Sequence, residues 1–212
     1  MSTTREQMEQ IYSEKTLDEI PWNIEQPPEL LVTMVEGGAI APCDVVDIGC
    51  GAGNYSAWLA GQGFSVAGLD LSRRAVELAR KNASARGVKC EFSQFDMLNP
   101  NARLPRCFDL AFDWEVLHHV LPDERGIYLE NVARLLRDGG RYLTVSFSEQ
   151  NEGFGGEGKL RKTPLGTELY FSSEDEIEAQ LRSRFTLQRL ETLTIQGKHG
   201  PHIVVMADAT KR

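Results

Sequence analysis

Short apolar runs alternate along the middle of the chain with stretches whose apolar residues recur at helical spacing. The runs at 44–48, 65–69, 89–93, 108–113 and 141–147 predict five strands. Between them the sequence predicts a helix over 54–61 and another capped by Ser72, with Ala75, Ala79 and Ala83 on one face and Gly87 at its end. A third helix is predicted from a cap at Asp123 through Leu129, Val132, Leu135 and Leu136 to a stop at Gly139-Gly140. Such alternation specifies a parallel sheet covered on both faces. The pattern then changes. Ser173-x-x-Glu176 is a capping box for a helix through Leu181, and the strands predicted at 185–195 and 202–207 have no helix between them, so they form an antiparallel hairpin.

Two regions fall outside this core. Residues 1–42 predict a helical cap, two helices broken by Pro21-Trp22-Asn23 and Pro27-Pro28 and ending at Gly37-Gly38, on a single compact domain formed by 43–212. The stretch 148–170 is glycine-rich and then basic, and its length predicts a lid or a segment without structure. Gly153, Gly155 and Gly158 fit a Gly-x-Gly-x-x-Gly pattern but open no helix, so they are not a phosphate cradle. Lys159, Arg161 and Lys162 read as a solvated charge run more readily than as an attractor for an anionic substrate.

Composition narrows the class. The chain has 212 residues, 41% apolar and 25% charged, as in an ordinary folded domain, and its formal net charge of −8 argues against a nucleic-acid partner. No apolar stretch has the length of a membrane span and the N-terminus lacks a signal-peptide core, so the expectation is a cytoplasmic protein without a membrane partner, monomer or homodimer. Cys43, Cys50, Cys90 and Cys107 lack metal-ligand spacing; no metal is expected.

The chemistry concentrates in Val45-Val46-Asp47-Ile48-Gly49-Cys50-Gly51-Ala52-Gly53-Asn54. An apolar run ending in Gly-x-Gly-x-Gly is a buried strand turning into a helix, where residues without side chains let a ligand approach the backbone amides. Asp70 closes the next strand, where a carboxylate can accept hydrogen bonds from two ribose hydroxyls. The ligand inferred is an adenosine derivative. The spacing fits a dinucleotide poorly, because Asn54 or Ser56 stands where the third glycine is required.

As it stands, the run from Val45 to Ser56 resembles the nucleotide-binding motif of class I S-adenosylmethionine-dependent methyltransferases. Asp70 falls where that family holds the ribose, Gln94-Phe95-Asp96-Met97 where it frames the adenine, and residues 108–113 resemble its fourth strand. Leu136-Arg137-Asp138-Gly139-Gly140 resembles its Leu-x-Pro-Gly-Gly approach to strand five, with Asp138 replacing Pro. The segment 20–27 is similar to one ahead of the glycine loop in thiopurine, thiol, halide and tellurite methyltransferases, whose tryptophan lies against the cofactor; here it is Trp22.

The resemblance implies a Rossmann-like, doubly wound seven-stranded α/β sheet, mostly parallel with an antiparallel C-terminal hairpin. It also implies S-adenosyl-L-methionine as cofactor, S-adenosyl-L-homocysteine as product and a small-molecule acceptor. The implied cofactor-binding residues are Trp22, Asp47, Gly49, Cys50, Gly51, Gly53, Asp70, Leu71, Asp96, Met97, Asp113 and Trp114. Beyond the fourth strand, Glu115, His118 and His119 are candidates facing the reacting methyl, and either histidine could be a general base, since imidazole titrates near neutrality. A non-catalytic S-adenosylmethionine-binding sensor or subunit, and less favoured a nicotinamide-dependent oxidoreductase, remain the alternatives.

Overall fold

The structure is a computed structural model that describes residues 4–152 and 156–212. Gly153 and Gly155 of the glycine-rich stretch, like the first three residues, lie outside the described residues. A seven-stranded sheet has the order β3-β2-β1-β4-β5-β9-β8. Its strands are β1 (Asp44–Ile48), β2 (Ser65–Asp70), β3 (Cys90–Gln94), β4 (Phe108–Trp114), β5 (Leu136–Phe147), β8 (Phe185–Gly197) and β9 (Gly200–Lys211). The expected Rossmann-like class is the one found. The chain divides into two compact units, Met1–Asp96 with Ile195–Pro201, and Met97–Thr194 with His202–Arg212.

In the first unit, β1 and β2 pair in parallel with Asp47 beside Gly68, and β2 pairs in parallel with β3, placing Gly68 beside Phe92. Gly68 has no alternative. A Cβ there would lie 2.5 Å from the Phe92 ring and 3.0 Å from the Cys50 sulfur. The helices are α1 (Thr4–Glu14), α2 (Glu29–Glu36), α3 (Asn54–Gly61) and α4 (Arg73–Ala85). Ser72 caps α4 as its sequence predicts, the hydroxyl accepting from the Ala75 amide at 3.1 Å. Ala79 and Ala83 of that helix pack with Cys50, Val76 and Phe92 in one buried cluster. The hairpin tip also belongs to this unit: the Lys198 ammonium donates to the carbonyls of Asp18 at 2.7 Å, Ile20 at 3.0 Å and Leu17 at 3.4 Å.

In the second unit β4 pairs in parallel with β5, and β5 antiparallel with β9, putting Phe147 opposite Val204. Two expectations need correction here. The helix α5 (Arg125–Leu135) begins after Glu124 with no side-chain cap, so Asp123 does not cap it. It also ends before Gly139-Gly140, because Leu136 is already extended at φ −93° and ψ 143°. The glycines instead turn the chain inside β5, where pairing jumps from Phe108–Leu136 to Leu110–Arg141. The closing helix α6 (Glu174–Leu181) carries the predicted capping box on Ser173 and Glu176.

The basic stretch is also not structureless where it is described. Strands β6 (Leu160–Lys162) and β7 (Glu168–Tyr170) pair antiparallel around Gly166, which has φ 83°. Two of the three cations are engaged. Lys159 bridges Glu149 at 2.8 Å and Glu176 at 2.9 Å, and buried Arg161 lies 4.0 Å over the Phe171 ring and donates to the carbonyls of Gly158 and Asn151, each at 2.7 Å.

Candidate functional site

In the first unit the turn after β1 has three glycines in the left-handed region, Gly49 at φ 72°, Gly51 at 53° and Gly53 at 74°. Gly53 opens α3, and a Cβ on it would meet Ala79 at 2.8 Å and the Phe92 ring at 3.1 Å. The last glycine therefore allows close helix packing, while the first two bring amides to the end of β2. Gly49 and Cys50 both donate to the Leu69 carbonyl, at 2.7 and 3.0 Å. Gly51 donates to one Asp70 carboxylate oxygen and Ser72 to the other, both at 2.8 Å.

Asp70 is thus a buried carboxylate held by backbone amides, with no cation beside it among the described residues. Burial pushes its carboxyl up to about 6, with the Ser72 and Gly51 amides pulling it the other way. A carboxylate has about four acceptor sites, so two hydroxyls can still be received. Asp47, also buried, accepts from Ser56 at 2.6 Å. The Cys50 side chain is turned into the Ala79–Phe92 cluster, and burial raises its thiol well above the usual range, which leaves its backbone to face a ligand. The Leu71 carbonyl accepts from Gln94 at 3.1 Å.

Helix α1 contributes residues that the sequence reading did not single out. Arg5 pairs with Asp96 at 3.0 Å, and Glu9 accepts from the Ser72 hydroxyl at 2.7 Å and the Arg74 amide at 3.2 Å. Tyr12 is buried, with its hydroxyl 2.8 Å from where a Gly51 Cβ would stand. Trp22 donates its indole N–H to that hydroxyl at 2.9 Å. Arg5, Glu9 and Tyr12 therefore reach Asp96, the start of α4 and the glycine loop in turn, one helical turn apart.

In the second unit the Asp113 carboxylate accepts from Tyr128 at 2.9 Å, from Thr144 at 2.8 Å and from Tyr142. Burial raises it to about 6. Three hydroxyls occupy it, so its side chain is structural and only its backbone is free to act. Trp114 is buried at the end of β4, and Met97 is buried with its carbonyl accepting from Asn131 at 2.9 Å.

His118 and His119 lie in a single turn of 3₁₀ helix at 117–119. His118 is stacked on Phe147 at 4.0 Å and 7°, its Nδ1 accepting from the Phe147 amide at 3.4 Å, and burial holds its pKa well below the usual value. Burial lowers His119 to about 4. Both rings are neutral at pH 7 and weakly basic, which is poor matching for a general base working near neutrality. The turn is held by Arg125, a buried guanidinium that donates to the carbonyls of Val120 at 2.9 Å and Leu117 at 3.3 Å and to the Ser172 hydroxyl at 2.8 Å. Glu115, by contrast, pairs with His202 at the start of β9. No sequence signal joins those two residues. Among the described residues no group of three or more His, Cys, Asp or Glu is placed to hold a metal, and no helix is long and apolar enough to cross a membrane.

A family described as a methyltransferase domain matches residues 45–140. The ubiquinone biosynthesis O-methyltransferase of Nitrosomonas europaea is 29% identical over 153 residues, 69% of this chain and 64% of that protein. The chain spans less than two thirds of the length of the curated relatives it matches, 64% of the Nitrosomonas protein and 60% of the Yersinia pestis one. Among solved structures, one from work on the conversion of a disulfide bond into a thioacetal group during echinomycin biosynthesis superposes with a TM-score of 0.83 at 23% identity, covering 99% of this chain and 92% of that one. The 1,6-didemethyltoxoflavin-N1-methyltransferase of Burkholderia thailandensis, solved with S-adenosylhomocysteine, gives 0.68 at 22% identity, covering 95% of this chain and 80% of that one. In the domain at 45–140 and the order of its sheet, the chain is similar to the class I S-adenosylmethionine-dependent methyltransferases.

Proposed function

We propose that this chain transfers the methyl group of S-adenosyl-L-methionine to a small-molecule acceptor. The observation that carries the reading is the Asp70 carboxylate, buried with no cation beside it among the described residues and tied to the Gly51 and Ser72 amides, which brings an acceptor for ribose hydroxyls and the glycine-loop backbone to one place. Gly49, Cys50, Gly51 and Gly53 would offer backbone to the ligand, Asp47 would set the turn through Ser56, and Leu71 would flank the ribose. Asp96 and Met97 would frame the adenine, and Trp22 with residues 1–42 would form a cap on the domain at 43–212. Asp113 and Trp114 would contribute backbone near the methionine end. The relatives' printed names, O-methyltransferases of ubiquinone biosynthesis, support a hydroxyl acceptor.

When bound, the cofactor supplies an activated methyl group on a sulfonium. The chain's part is to align it with the acceptor and keep water away. We also place the protein in the cytoplasm, on the strength of four cysteines without a disulfide. Calorimetry is expected to detect binding of S-adenosylmethionine and S-adenosylhomocysteine but not of NAD or NADP; comparable NAD binding would overturn the choice of cofactor. Labelled methyl donor, tested with phenols, thiols, halides, metalloid oxyanions and carboxylates, is expected to mark at least one acceptor. Binding without transfer to any would favour a sensor.

A further inference from the structure

Asn54 follows the last glycine of the loop and opens α3, whose cap, Gly53, has no side chain. Asparagine is favoured near a helix start because its side chain can take the helix's own free amides. Asn54 does not do this. It is buried, and its amide goes to four partners in other parts of the unit. Nδ2 donates to the Asn23 Oδ1 and to the Ile24 carbonyl, each at 3.1 Å. Oδ1 accepts from Asn82 at 2.8 Å and from Arg86 at 3.1 Å. Two donors and two lone pairs are all that a carboxamide has, so its capacity is filled.

The orientation of that amide is dictated from α4. A guanidinium only donates, so the atom facing Arg86 is the oxygen, and Nδ2 is left for residues 23 and 24. Arg86 stands just past the end of α4, where a cation meets the carbonyl end of the helix dipole, and its Nε donates to the Asn82 Oδ1 at 2.9 Å. Asn82 in turn donates to the carbonyl of Ala52, between two of the loop's glycines, at 2.9 Å. The loop is thereby tied to α4 and keeps one pair of donors for the segment ahead of it. That segment touches the loop a second time, because Trp22 donates to Tyr12, whose hydroxyl lies against Gly51. Residues 22–24 thus meet the loop at both Gly51 and Asn54.

We propose that Asn54 is a positioning residue for the cofactor: it clamps the Trp22 segment to the glycine loop, so that holding S-adenosyl-L-methionine on the loop and ordering Trp22 are one event. This rests on the methyltransferase reading above. Glycine populates φ of either sign, so an unfastened glycine loop has freedom to lose when a ligand binds. The four hydrogen bonds of Asn54 remove that freedom beforehand. Ligand affinity is then set partly by residues that do not touch the ligand. The position calls for a carboxamide in particular, since a hydroxyl has one donor, a carboxylate none and an ammonium no acceptor.

The test uses Asn54→Asp, which keeps the two acceptor contacts, adds an ion pair with Arg86 and cuts only the donors to residues 23 and 24. It should unfold in urea close to wild type, yet bind S-adenosylhomocysteine about 10-fold more weakly in calorimetry, the loss expected for two hydrogen bonds. Its Trp22 emission should lie to the red of wild type in the free protein, with Trp22→Phe versions subtracting the emission of Trp58 and Trp114. Asn23→Leu removes one of the same contacts from the other side without altering the loop, and so carries the test should Asn54→Asp not fold. It should weaken binding about 3-fold, and Asn23→Asp, which keeps the acceptor, by less. Wild-type affinity in Asn54→Asp overturns the proposal. So does a loss that tracks a fall in the urea midpoint with Trp22 emission unmoved, the mark of a purely structural network. Both outcomes leave the methyltransferase reading intact, whereas wild type that binds neither S-adenosylmethionine nor S-adenosylhomocysteine overturns both.

Discussion

Trp22 donates its indole N–H to the hydroxyl of Tyr12, tying the proline-flanked segment to a helix whose polar surface gives little hint of a role. Tyr12→Phe removes that hydrogen bond, a cost of about 1 kcal/mol. If the helix covers the bound cofactor, affinity for S-adenosylhomocysteine should fall about 5-fold in calorimetry and the Trp22 emission should shift to the red. An unchanged affinity would place α1 outside the binding site.

Asp70 should make cofactor binding pH-dependent. Its folded pKa of about 6 lies above the ordinary carboxylate value, so its contribution to the stability of the ligand-free protein is present below about 3.8 and is lost as pH rises through about 6. Ribose hydroxyls require the opposite, ionised state. Affinity for S-adenosylhomocysteine should therefore weaken as pH falls from 7 to 5. Asp70→Asn should bind about 10-fold more weakly at pH 7 with a flat profile, yet unfold in urea no earlier than wild type. A variant whose affinity matches wild type at pH 7 would mean that the ribose is held elsewhere.

Gly68→Ala should destabilise the first unit by about 1–3 kcal/mol, the range for overpacking a tight core, because its methyl would enter the Phe92 ring. In a Phe92→Leu background the same change should cost less, by a coupling measurable as a shift in the urea midpoint. Additive costs would show that backbone conformation, not the ring, excludes a side chain.

The sheet and its helices were legible because the inner parallel strands β1, β2 and β4 are buried on both faces and so read as largely apolar runs, as Val45, Val46 and Ile48 do. The glycine loop was legible for the same local reason. The β6–β7 hairpin was not, since three-residue strands of Leu-Arg-Lys and Glu-Leu-Tyr carry no period, and Arg161 looked solvated although it is buried under Phe171. Glu115 and His202 were beyond reach, because 87 positions separate them and only the antiparallel return of β9 brings them together.

The staple made by Lys198 has a consequence for the order of assembly. One compact unit is built from the first 96 residues and a heptapeptide drawn from nearly a hundred residues later. During synthesis the carbonyls of Leu17, Asp18 and Ile20 wait for that ammonium until the second unit has been made, and closing so long a loop carries an entropy that grows only with the logarithm of its length. The segment leading to Trp22, already held through Tyr12 and Asn54, thus receives its last fastening from the hairpin tip. A nascent chain lacking the hairpin tip would carry the whole glycine motif and still hold its tryptophan without that anchor.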